Sequence, residues 1–73
     1  MKVVRWDNGF EAFRAIVPRR SGQLKARLIS AFEPLTEPGM LWLDCNPSDA
    51  LLTPEEAIEI ADALRQLAER VKG

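Results

Sequence analysis

Residues 23–32 read QLKARLISAF and fit two periods at once. As a strand, Leu24, Ala26, Leu28 and Phe32 share one face while Lys25, Arg27 and Glu33 share the other. As a helix capped by Ser21, Leu24, Leu28, Ala31, Phe32 and Leu35 form an apolar stripe. Local propensity favours the helix, but the architecture favours the strand. A strong amphipathic helix elsewhere in the chain needs a broad apolar surface to cover, and a two-stranded ribbon would be too small to supply it. The strand is therefore the expectation and the helix the alternative.

That other helix is Leu51 to Gly73, LLTPEEAIEIADALRQLAERVKG. Thr53 is placed to cap it, Glu56 three residues later completes a capping box, and Pro54 occupies the first helical position, where a missing N–H costs nothing. Glu55 and Glu56 put negative charge at the positive end of the helix dipole, and Arg70 and Lys72 do the reverse at the other end. Gly73 is a natural stop. Ala57, Ile60, Ala61, Leu64, Leu67, Ala68 and Val71 recur at three- and four-residue steps and predict the buried stripe. Glu55, Glu59, Asp62, Arg65, Gln66 and Glu69 fall on the outer side. Ile58 projects outside the stripe, as a solitary exposed residue or a partner contact.

Upstream of residue 23, Lys2 to Trp6 suits a first strand, and Asp7-Asn8-Gly9 is a hairpin signal. Phe10 to Val17 is then a second strand, with a helix capped by Asn8 as the competing reading. Pro18 to Gly22 is a turn. Downstream, Pro34 to Gly39 is a loop, Met40 to Cys45 a strand whose MLWL run suits a central or well-covered position, and Asn46 to Asp49 a turn. The sum is a single α+β domain over 1–73: a small antiparallel meander of three or four strands packed by one long C-terminal helix. Its expected core is Val4, Trp6, Phe13, Val17, Leu24, Leu28, Leu41, Leu43, Ile60, Leu64 and Leu67. Trp6 and Trp42 are expected as core anchors; either, if exposed, becomes the first candidate for an interface hot spot.

Seventy-three residues bury only about 60% of their unfolded surface, so a partner or a self-dimer would help such a domain. The longest apolar runs fall far short of a bilayer span, and the N-terminus has no signal-peptide core, so a soluble, cytoplasmic protein without membrane contact is expected. A lone Cys45 agrees with a reducing compartment and reads as a small side chain at a strand end. With no histidine or tyrosine, and no base near the one cysteine, nucleophilic triads and common metal sites lack their parts. Neither an enzyme nor a cofactor is expected; no catalytic, cofactor or metal residue is assigned.

The net charge of −1 conceals a division. Residues 1–31 carry a balance of +5 and residues 32–73 a balance of −6. Such asymmetry hints at a charged partner. The partner-binding candidates are a basic patch of Arg14, Arg19, Arg20, Lys25 and Arg27, or the acidic helix face of Glu55, Glu59, Asp62 and Glu69. A non-enzymatic module that binds another protein is the leading expectation. Nucleic-acid binding through the basic half and a structural homo-oligomer are the alternatives.

The segment LLTPEEAIEIADALRQLAE resembles the ending of many short bacterial and phage proteins, in which a strand leads through L-T-P-E-E-A into a terminal amphipathic helix. Size, segregated charge and the missing catalytic residues also resemble phage or prophage accessory proteins, including inhibitors of host defence such as anti-CRISPR proteins. The resemblance implies an inhibitor of a host protein complex and assigns no functional residue.

Overall fold

The computed structural model describes the backbone of residues 2–7 and 11–73 and the side chains of 12–73. Four strands, β1 (Lys2–Asp7), β2 (Glu11–Val17), β3 (Arg27–Phe32) and β4 (Trp42–Asn46), are followed by one helix, α1 (Pro54–Lys72). The strands form an antiparallel meander in the order β1-β2-β3-β4. β1 and β2 pair from Lys2 against Ile16 to Asp7 against Glu11, as the hairpin signal predicts. Residues 8–10, where the sequence places the turn, lie outside the described set, as do the side chains of Val4 and Trp6 in the expected core.

The helix has the predicted bounds and caps. The Thr53 hydroxyl accepts from the Glu56 N–H at 3.1 Å, and the Glu56 carboxylate accepts from the Thr53 N–H at 2.9 Å. Gly73 closes the helix at φ +86° and donates its N–H to the Glu69 carbonyl. α1 packs chiefly on β2. Beneath it Phe13, Ala31, Ala63 and Leu67 form one buried cluster and Ala15, Val17 and Ile29 another, with Ile60 touching both. Three of those seven buried residues are alanines, so helix and sheet approach closely at little cost in volume.

The buried stripe is rotated from the expected one. Glu56, Ala63 and Leu67 are buried and Ile60, Leu64 and Val71 half-buried, whereas Ala57, Ala61 and Ala68 are exposed. A methyl group carries too little hydrophobic weight to orient a helix. Phe13 and the Glu56 ion pair described below orient it instead.

The 23–32 stretch is a strand only from Arg27 onward. Before it the chain turns, with the Gln23 N–H donating to the Arg20 carbonyl at 2.9 Å and Gly22 at φ +83°, which favours glycine. Leu24 is 91% exposed and leaves the expected core. The phase is also reversed. Register places Ala31 opposite Phe13 and Ile29 opposite Ala15, so Arg27, Ile29 and Ala31 face the helix, and Leu28, Ser30 and Phe32 take the other side. The small Ala31 fits under α1, where Phe32 would hold the helix off.

β4 is an edge strand rather than a covered one. Trp42 is 58% and Leu43 60% exposed, because α1 lies over β2 and leaves the β4 side of the sheet bare. Leu43 therefore leaves the expected core, while Leu41, just before the strand, packs against the first cluster.

Candidate interaction surface

The sheet has helix on one face only. On the other, strand alternation and register set side chains into rows across β2, β3 and β4. Ala12, Phe32 and Trp42 form one row; Arg14, Ser30 and Asp44 the next; Ile16, Leu28 and Asn46 the third. Ile16 is 44% and Phe32 37% exposed beside the more exposed Trp42, so the outer rows are largely apolar and the middle row polar. A depression of about 240 Å³ opens on this face, lined by Ala12, Arg14, Leu28, Ser30 and Phe32 among others. The apolar surface runs on past the end of β3 from Phe32 to exposed Leu35. A solvated antiparallel face normally alternates polar residues outward. This one does not.

The five basic candidates do not form one patch. Arg14 is exposed on the open sheet face, and Arg19 and Lys25 are exposed in the turn between β2 and β3. Arg20 is half-buried and reaches across to α1. Its Nη2 contacts the Glu56 carboxylate at 2.8 and 2.9 Å, and its Nη1 donates to the Leu51 carbonyl at 2.9 Å. Arg27 is buried. It donates from Nε to the Asp49 carbonyl at 2.5 Å and from Nη1 to the Lys25 carbonyl at 2.7 Å, with a looser 3.4 Å contact to the Asp49 carboxylate. Both guanidinium groups thus fasten the turn and the approach to the helix.

The acidic candidates stay on the outer side of α1. Glu55, Glu59 and Glu69 are exposed and Asp62 is half-buried. Arg65 pairs with Asp62 and, at 3.6 Å, with Glu69, and the Gln66 amide donates to Asp62 at 2.9 Å. Part of that face is neutralised by its own helix. Arg20 holds the Glu56 carboxyl below the usual glutamate range, helped by the Thr53 N–H. Burial pushes the Cys45 thiol up, against the opposing pull of Arg27, and its Sγ–H lies 3.3 Å from the Pro47 carbonyl. Such a thiol is a poor nucleophile.

Ile16, Leu28, Phe32 and Asp44 were not among the sequence candidates for contact. Alternation already groups Leu28 with Phe32; which of the two sets turns toward the helix is decided by the pairing of Ala31 with Phe13 and of Ile29 with Ala15, which no local pattern records. Trp42 meets the condition attached to it, exposure. Among the described residues no cluster of histidine, cysteine, aspartate and glutamate suits a metal ion, and no helix is long and apolar enough to cross a membrane. Comparison with family models, curated proteins and solved structures finds no match.

Proposed function

We propose that this chain is a non-enzymatic interaction module that binds another polypeptide through the open face of its sheet. The observation that carries this reading is the row of Phe32 and exposed Trp42 beside the depression at Ala12, a large aromatic at the rim of a shallow apolar hollow. Exposed tryptophans on a contiguous apolar face are the usual anchors of protein contacts. The role of a phage-type accessory protein or inhibitor is compatible with such a module and rests on size and segregated charge alone. Nucleic-acid binding draws less support, because Arg20 and Arg27 direct their donors to groups inside the molecule.

Affinity capture with the whole chain as bait, read by mass spectrometry, tests the reading when Phe32→Ser and Trp42→Ser are run beside the wild type. Polypeptides that bind the wild type and are lost from both variants are the expected result. Equal recovery by all three baits removes the open face from consideration.

A further inference from the structure

The three rows of the open face change in size and charge from β2 to β4, and those gradients are self-complementary. A two-fold axis parallel to β3, midway between two facing sheets, brings each β3 position onto its own copy and each β2 position onto β4 of the other molecule. Ala12 then meets Trp42, Arg14 meets Asp44, and Phe32 and Leu28 meet themselves. The bulkiest side chain falls on the smallest, at the depression that Ala12 helps to line. The positive end of the polar row falls on the negative end, twice. With facing sheets about 10 Å apart, side chains of these lengths reach one another. We propose that a second copy of this chain covers the open face in this arrangement. The proposal rests on the reading of that face as the contact surface and names its occupant.

The overlapping area bears on the strength. Three strands cover about 14 by 20 Å, to which the exposed Leu35 adds a margin. That is less than the ~800 Å² per partner of a standard stable interface. An interface of that size fits a weak, reversible dimer, so a dissociation constant in the micromolar range is expected.

The test is sedimentation of the whole chain from about 1 to 500 µM, a range that brackets that constant. Wild type should pass from monomer to dimer. Arg14→Asp and Asp44→Arg should each weaken self-association by about tenfold or more, since each sets like charges face to face in two places. An equimolar mixture of the two variants should recover dimer, because every facing pair is then opposite in sign. Recovery on mixing also excludes misfolding as the cause of the single-variant losses. Ala12→Trp, which fills the hollow, should weaken the dimer to a similar degree. A wild type that stays monomeric throughout overturns the proposal, as does a dimer indifferent to all three substitutions, which would point to edge pairing through β4. So does a mixture that fails to recover. If wild type is monomeric while Phe32→Ser and Trp42→Ser still lose a different captured polypeptide, the self-pairing falls and the contact surface stands. If capture is also unchanged, both fall.

Discussion

Arg27 enters the sheet on the helix side, where a core aliphatic is expected, and it is tolerated there because two backbone carbonyls and a carboxylate receive its donors. Its two ion-pair and carbonyl roles differ sharply in worth. Asp49 is 87% exposed at its side chain and sits at 3.4 Å, so the charge pair adds little. The carbonyls of Lys25 and Asp49, by contrast, lose a donor if the guanidinium is removed. Arg27→Ala should destabilise the domain by about 2–4 kcal/mol, while Asp49→Asn should stay within about 0.5 kcal/mol, both read from urea midpoints. Glu56 gives the chain a pH dependence. Its carboxyl is held below the ordinary glutamate value by Arg20 and the Thr53 N–H, so the folded state binds its proton less readily than the unfolded chain. Its contribution is therefore present above the unfolded glutamate pKa and lost as pH falls through the folded one. Urea midpoints should fall on acidification below the ordinary glutamate range, and Glu56→Gln should remove part of that slope. A variant with the wild-type slope would show that the pair with Arg20 contributes nothing. The capping box of Thr53 and Glu56 was legible in the sequence, but the contacts of the two arginines were not: Arg20 reads as an exposed turn residue and Arg27 as part of the basic face of a strand. Their partners lie 36 and 22 residues away, and a local pattern holds no record of them.

At the scale of the element, α1 was readable because all of its signals are local: cap, capping box, proline, dipole charges and stop glycine lie within the segment itself. Which of its faces turns inward depends on the sheet, and the alanines gave no clue. The rotation makes a direct prediction. Ala63 is buried against Phe13 and Ala31, so Ala63→Leu should overpack the interface and cost about 1–3 kcal/mol. Ala57→Leu and Ala61→Leu, on positions the periodicity assigns to the core, should stay within about 0.5 kcal/mol because both are exposed. Thermal unfolding of the three variants checks the orientation, and the reverse ranking would restore the stripe expected from sequence. The strands show the same division. Four strands in sequential order follow from turn signals and the need to cover a helix, but the phase of β3 is set by its pairing with Phe13 and Ala15 on β2. Alternation sorts the residues of a strand into two sets without saying which set is covered. The set holding Leu28 and Phe32 turns away from the helix, so this surface was hidden from a reading that placed Leu24 and Leu28 in the core.

The whole molecule is two layers thick, 17 Å in its shortest extent, with seven buried apolar side chains among the described residues between helix and sheet and an uncovered, largely apolar face on the other side. A domain of this size sits close to the limit at which one core sustains a fold, so a contact that covers the second face contributes to folding as well as to recognition. Unfolding of a dimer to two free chains depends on concentration, since mass action favours the associated state as concentration rises. Above its dissociation constant, each tenfold increase adds about 0.7 kcal/mol per chain, which for a domain of this length raises the melting temperature by roughly 3–5 °C. Wild type should show that rise between about 20 and 200 µM, in the range where the dimer forms. Asp44→Arg should melt at a temperature nearly independent of concentration and close to that of dilute wild type, because its exposed side chain takes no part in the core beneath α1. A melting temperature of wild type that does not move with concentration would mean that the helix and one face of the sheet sustain the fold alone, and that the open face is kept for a different polypeptide.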